Sequence, residues 1–376
     1  MSEKLWDEFI QFWDEDEIKE KAERYQELYE NPEEIDNDFS WVNKKEKLNK
    51  ISKAAMWGIP NHILGDIDNS KFIIGLFNPG THMNKTTSEE CSTVGEYIQS
   101  EVSLEKNIVD GVEFDSKEVY ETNDVEISML HDFYYNHILS KENVISQELK
   151  KLYKIYCENE QEFKLYLQSG HSKRFKAVAY YLGQYYSHVF HGSGPGYVRC
   201  MKHYSSIFEK MNKAKRYDSE VEQKFEEALI KLKITNIELI PYRTSESNDI
   251  GFSKKQESSI LSAKVILEKL LTDKESIVIL RSRGKWEGLF KKECASKDVN
   301  YSQEIEPRLF ELGTSGAISY KNLYPVKKKK NNSKLKNEDL SERYKQEINK
   351  IVDELSEEIR LKEFEEYLDN VIAMYH

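Results

Sequence analysis

The residues whose types most directly suggest chemistry are Asn78 and His82, in the turn NPGTH after the apolar run KFIIGLF at 71–77. The amide oxygen of Asn78 can orient a water molecule, although an amide is a poor proton acceptor. The imidazole of His82 and the backbone N–H groups after the proline can donate to an oxygen on which negative charge develops. An ordinary turn after a strand has the same composition, so a purely structural role is the alternative.

Three further apolar runs are bounded by polar or basic turns. KITNIELIPY (233–242) is followed by RTSES, ESIVILRS (275–282) continues into RGKW, and GAISY (316–320) is preceded by GTS. Helical patterns between the runs predict a parallel sheet with right-handed crossovers. Because ligands of such sheets bind beyond the carboxyl ends of the strands, we expect the turns to converge on one site.

Helical patterns fill most of the remaining chain. The expected helices are 127–139, 145–168, 173–190, 198–213, 218–232, 255–271 and one long charged helix at 338–376. The expected domains are an acidic helical N-terminal extension (1–57), an α/β core (58–94 and 233–326), a helical insertion (95–232), and a basic, mobile linker (327–336) that leads into the C-terminal helix, together 327–376.

The charge of the chain is unevenly distributed. The 376 residues include 55 Lys+Arg and 67 Asp+Glu, a net charge of −12. Residues 1–40 carry a net −11 and residues 337–376 a net −7, so residues 41–336 carry a net +6. Basic clusters within this stretch suit phosphate contacts, although solvated loops and helix faces are the alternative.

Other sequence features exclude several classes of protein. No apolar run approaches the ~20 residues that span a bilayer, and the acidic N-terminus is unlike a secretory signal or a transit peptide. The four cysteines include no CxxC pair, and His188 and His191 lack an accompanying Cys or carboxylate pattern, so no metal site is expected. No Walker-type or dinucleotide glycine pattern is present, so no organic cofactor is expected either. We expect a soluble, cytoplasmic protein that does not bind membranes.

The order of the four turns resembles that of the uracil-DNA glycosylase superfamily. FIIGLFNPGTH resembles its first motif and is closest to the mismatch-specific uracil/thymine branch. ELGTSGAIS resembles its closing motif, with Ser315, Gly316 and Ser319 at the matching places. IELIPYRTSES and IVILRSRGKW stand where the family has its second and third strands.

The chain also departs from that family. About 155 residues separate Asn78 from the second predicted strand, so a large helical insertion must be accommodated there. Thr314 stands where the closing loop usually has proline, and Arg281 stands where the small glycosylases have a small or apolar residue.

The resemblance implies a three-layer α/β/α fold with a short parallel sheet, and a glycosylase that cleaves the N-glycosidic bond of a modified or mismatched base in DNA. Repair, or defence against foreign DNA, would be its setting. It also implies a flipped-out base that is stacked on an aromatic ring and clamped through its phosphates. The alternative is a non-catalytic nucleotide or nucleic-acid sensor whose acidic helical ends contact a partner protein. A third possibility is that the acidic ends cover the basic groove and regulate access to it by mimicking the charge of DNA.

The expected site residues fall into three groups. Asn78 and His82 are the catalytic candidates. The substrate-binding candidates are Pro79, Gly80, Thr81, Tyr197, Tyr242, Arg243, Arg281, Ser315, Gly316 and Ser319. The candidates for DNA-phosphate contacts are Arg199, Lys202, Arg283, Lys285 and Lys321.

Overall fold

The computed structural model describes residues 2–12, 61–79, 139–168, 172–241, 257–313, 316–331 and 335–374. The helices, in chain order, are α1 (Glu3–Phe12), α2 (Val144–Glu158), α3 (Glu160–Tyr166), α4 (Ser172–Val178), α5 (Gly196–Ala214), α6 (Val221–Ile230), α7 (Glu257–Thr272), α8 (Arg283–Ser296), α9 (Val326–Asn331), α10 (Glu342–Ile359) and α11 (Lys362–Ala373). The strands are β1 (Ile63–Leu64), β2 (Phe72–Leu76), β3 (Leu139–Ser140), β4 (Ile234–Glu238), β5 (Ile277–Leu280), β6 (Leu309–Leu312) and β7 (Leu323–Pro325).

The described residues belong to two compact units. The sheet unit contains residues 2–12, 61–79, 139–140, 235–241 and 257–309. The helical unit contains residues 141–168, 172–234, 310–313, 316–331 and 335–374.

In the part of the chain that the structure describes, the sheet of this α/β protein has seven strands. The five strands of the sheet unit run in the order β3-β1-β4-β2-β5. β2 and β5 are parallel, with Phe72 opposite Ile277, as the sequence predicts. β1 is antiparallel to β4, and in the helical unit β6 is antiparallel to β7. Beside the parallel pairs that the sequence predicts, the sheet therefore contains antiparallel pairs formed by the short strands β1 and β7, which were not predicted.

Three predicted strands are present as β2, β4 and β5, but the fourth, at 316–320, is not. Gly316 has a left-handed backbone (φ 72°), which interrupts an extended strand. The Asn322 side chain donates to the Ala317 carbonyl at 2.5 Å and holds the segment as a loop. The buried flanking residues, such as Phe310 and Leu323, form β6 and β7 instead.

The C-terminal region differs from the sequence expectation in two ways. The predicted long helix is broken into α10 and α11 at Leu361, which is buried and has a left-handed backbone (φ 54°). The lysine-rich stretch expected to be a mobile linker includes the helix α9, while residues 332–334 lie outside the described part of the chain. The predicted helix at 127–139 also lies outside it, except for Leu139 in β3.

The N-terminal helix α1 packs on α7 within the sheet unit. Glu8 forms an ion pair with Lys264 at 2.6 Å, and the Ser2 hydroxyl donates to Glu268 at 2.9 Å. Phe9 is fully buried, with its ring centroid 4.6 Å from that of His62. The amphipathic pattern of this acidic segment therefore reflects core packing.

The helical unit contains a buried carboxyl group, that of Glu148 on α2. Its two oxygens accept hydrogen bonds from the backbone N–H groups of Tyr181 and Leu182, at 2.6 and 2.8 Å. These N–H groups lie at the start of a π-helical turn, Leu182–Tyr186. The first N–H groups of a helix have no acceptor within the helix, and Glu148 supplies one. Burial raises the pKa of Glu148 to about 8, although these hydrogen bonds act in the opposite direction.

Candidate functional site

The carboxyl ends of β4, β2 and β5 lie side by side at one edge of the sheet unit. The backbone N–H of Arg281 donates to the Gly75 carbonyl at 2.7 Å. The N–H groups of Leu239 and Ile240 donate to the carbonyls of Leu76 and Phe77, at 3.1 and 2.9 Å. The turns that follow these three strands therefore begin at the same edge. We call the described residues Phe77–Pro79 and Arg281–Lys285 the strand-end site.

A tryptophan that sequence reasoning did not single out anchors this edge. Trp286 on α8 is fully buried and stacks on Phe290, with ring centroids 5.8 Å apart. A Cβ atom at Gly75 would lie 3.3 Å from Trp286 Cε2 and 2.7 Å from Leu280 Cδ2. Glycine in the middle of β2 therefore allows the indole to pack directly on the strand. The glycine within the apolar run KFIIGLF is the feature of the sequence that could have indicated such close packing on the strand.

The connection from β5 to α8 is a sharp turn at Ser282. This residue has a left-handed backbone (φ 57°, ψ 39°), which costs about 1–2 kcal/mol for a side chain of this kind. Its carbonyl accepts from the N–H of Lys285 at 3.0 Å, so the helix starts immediately after the strand. The strained residue thereby places the amino terminus of α8, with its partial positive charge, at the strand-end site.

Three cations occupy this amino terminus, where the helix dipole disfavours positive charge. Arg283 forms an ion pair with the nearly buried Glu287 at 2.7 Å. Lys285 Nζ lies 3.7 Å from the centroid of the Phe77 ring, and burial lowers the pKa of this lysine. Arg281 completes the group. An anion bound at this edge would relieve the electrostatic conflict, so the arrangement suits a phosphate group.

Asn78 is held at the same edge by its own turn. Its Nδ2 donates to the carbonyl of Pro79 at 3.0 Å, and Asn78 is half-buried between the buried residues Phe77 and Pro79. In this orientation Nδ2, and not Oδ1, faces the Pro79 carbonyl. The remaining predicted residues of the three turns and of the closing loop lie outside the described residues: Gly80, Thr81, His82, Tyr242, Arg243 and Ser315.

In the helical unit, two predicted site residues are engaged in local structure. Tyr197 is 9% exposed, and its hydroxyl donates to the Gln168 carbonyl at 3.3 Å. Arg199 donates from Nε to the Phe190 carbonyl at 2.6 Å and from a terminal nitrogen to the Gly194 carbonyl. The guanidinium thus holds the glycine-rich loop before α5. That role was not anticipated from the sequence.

The other predicted residues of the helical unit occupy two places. Lys202 is exposed on α5. Gly316, Ser319 and Lys321 lie in the loop between β6 and β7, where Gly316 donates to the Gly313 carbonyl at 3.2 Å. Ser319 is half-buried, and its backbone carbonyl accepts a hydrogen bond from the Asn322 N–H at 3.1 Å.

Within the described residues, no group of three or more His, Cys, Asp or Glu side chains is arranged to hold a metal ion. None of the described helices has the length and apolar character needed to cross a bilayer.

No protein-family model, curated protein or solved structure matches the chain. The resemblance to the glycosylases therefore rests on the quoted motifs alone.

Proposed function

We propose that the protein is a DNA-directed base-processing enzyme, a DNA glycosylase-like hydrolase that acts on a modified or mismatched base. The observation that carries this proposal is the hydrogen-bonded alignment of β2 with β5. This alignment brings the Asn78 turn and the cations Arg281, Arg283 and Lys285 to one edge of the sheet. An amide that can orient water and a group of cations that can bind phosphates are two of the components that such an enzyme requires.

The proposed chemistry follows from the reaction itself. Cleavage of an N-glycosidic bond passes through an oxocarbenium-like sugar and an anionic leaving base. Asn78 would orient the attacking water near the anomeric carbon, and donors from its turn, including His82, would stabilise the charge on the base. The cations at the start of α8 would bind the phosphates that flank the extruded nucleotide.

The test measures base release and abasic sites on duplexes that contain uracil, a mismatch or a hypermodified base. Asn78→Ala is expected to lower the rate of base release roughly 10²-fold or more, while the duplex is still bound. Asn69→Ala is the matched control, because Asn69 is an exposed turn residue before β2, where its side chain bonds to Asp66 at 2.7 Å. If the wild type releases no base from any of these duplexes, the enzymatic proposal is wrong.

A second candidate function is a non-catalytic nucleotide or nucleic-acid sensor, with a protein partner at the acidic helical termini. The accumulation of cations at the α8 amino terminus favours it, since anion binding there does not require Asn78. Under this alternative, Asn78→Ala retains ligand binding and neither protein forms product. Lys285→Gln weakens binding under both proposals, so the product assay on the Asn78 variant separates them.

A further inference from the structure

The segment 321–336 of the helical unit is unusually basic. Its sequence, KNLYPVKKKKNNSKLK, contains seven lysines and no acidic residue, in a chain that has 67 acids and a net charge of −12. The like charges of such a segment repel one another, and a negatively charged ligand would relieve this repulsion.

The structure holds several of these lysines on an ordered framework. Lys321 precedes β7, and its carbonyl accepts from the Tyr324 hydroxyl at 3.0 Å. Lys327 and Lys328 are exposed on α9, and Lys328 Nζ lies 5.1 Å from the centroid of the Tyr344 ring on α10. Lys336 is also exposed, and its backbone N–H donates to Asp339 at 3.1 Å. We call Lys321, Lys327, Lys328 and Lys336 the lysine surface.

The lysine surface lacks the internal neutralisation seen elsewhere in this unit. Within the described residues, none of its four ammonium groups lies within 4.0 Å of a carboxylate. By contrast, Lys210 lies 2.9 Å from Glu365 and 2.8 Å from Asp369. Seven further lysines of the unit form ion pairs at 3.7 Å or less: Lys150, Lys164, Lys215, Lys224, Lys233, Lys345 and Lys362.

We propose that the lysine surface binds the phosphate backbone of nucleic acid, independently of base sequence. Duplex DNA carries one negative charge per ~1.7 Å of its axis, a density that suits a short run of adjacent lysines. A membrane surface suits it less well, because peripheral binding also uses exposed apolar side chains. Leu323 and Val326 of this segment are buried, and Leu335 is half-buried. The inference extends the proposed function by giving the DNA a second contact, and it does not depend on base chemistry.

The test compares two variants in which four lysines are changed to glutamine. The first changes the lysine surface. The control changes Lys164, Lys224, Lys345 and Lys362, which are ion-paired and belong to the same unit, so both variants lose four positive charges. Binding of a fluorescein-labelled, unmodified 20-base-pair duplex is followed by anisotropy between 50 and 200 mM KCl.

Each lost phosphate contact lowers the slope of log K against log salt by about 0.9. We therefore expect the lysine-surface variant to lose about 2 to 4 in slope and at least tenfold in affinity at 50 mM KCl, with little change in the control. The proposal is overturned if the wild type does not bind the duplex, if the slope is unchanged, or if both variants lose affinity equally. It is also overturned if the wild type binds vesicles of phosphatidylcholine and phosphatidylserine (7:3) more tightly than the duplex.

These outcomes are distinguishable from a failure of the proposed function. An unmodified duplex reports backbone binding only, whereas base release from modified duplexes reports the strand-end site. Loss of the salt slope without any base release would support the lysine surface and refute the glycosylase.

Discussion

Replacement of the buried Glu148 by glutamine is expected to change how the stability of the helical unit depends on pH. Burial raises the pKa of this carboxyl group to about 8, from an ordinary value of 4.5. Between these values the native protein holds a proton that the unfolded chain has released, so the free energy of unfolding falls as the pH rises. At 1.36 kcal/mol per pKa unit, the loss between pH 4.5 and 8 is about 5 kcal/mol.

The side chain of the Glu148→Gln variant does not ionise, so its free energy of unfolding should not fall in this way as the pH rises. Its amide oxygen can still accept from one of the two backbone N–H groups, of Tyr181 and Leu182, but its NH₂ group faces the other. An unsatisfied buried donor costs roughly 1–3 kcal/mol. By pH 5 the wild type has already lost about 1 kcal/mol, so the variant should be less stable there by up to about 2 kcal/mol. At pH 9 the variant should be more stable than the wild type, by roughly 2–4 kcal/mol.

Urea unfolding at pH 5, 7 and 9, followed by far-ultraviolet circular dichroism, measures this difference. Glu209→Gln is the control, since Glu209 is exposed on α5, and a surface change of this kind stays within about 0.5 kcal/mol. A difference between wild type and Glu148→Gln that is the same at pH 5 and pH 9 would refute the reasoning.

Two further predictions concern the sheet unit. Burial lowers the pKa of His62 to about 3, so below its ordinary value of 6.5 the unfolded chain gains a proton that the native protein does not bind. Stability is lost as the pH falls, and the advantage of wild type over His62→Phe should shrink by about 3 kcal/mol between pH 7 and 4; an advantage that is equal in urea unfolding at both pH values would contradict this. Gly75→Ala should cost about 1–3 kcal/mol in urea unfolding at pH 7, because its Cβ would meet Leu280 and Trp286. Gly284→Ala is the control, since a Cβ there meets nothing within 4 Å, and equal stability of the two variants would show that the packing argument is wrong.

The main strands and helices could be predicted because their signals are local. The apolar runs that became β2, β4 and β5 are buried on both faces, apart from half-buried Ile277, and are bounded by polar turns. The helices α5 and α7 were predicted nearly to their ends for the same reason, since apolar residues repeat at helical spacing. Convergence of the Asn78 and Arg281 turns was also predictable, because parallel neighbours end at the same edge.

Other features depended on contacts between distant residues. The residue pattern GAISY at 316–320 is that of a strand. The segment is a loop because Gly316 adopts a left-handed backbone and the Asn322 side chain donates to the Ala317 carbonyl. The break at Leu361 is likewise invisible in an amphipathic pattern that continues through it, since the residue is buried in either case.

The polar and basic character of the turns, the strands that precede them, and the opposite charges of the body and the two ends can all be read from the amino-acid sequence. The partner that each cation contacts depends on the folded structure. Arg199 donates to two loop carbonyls, Arg283 pairs with Glu287, and Lys285 lies over the Phe77 ring. The physical reason is that a charged side chain binds whichever partner the fold brings within reach, and spacing along the chain does not specify that partner.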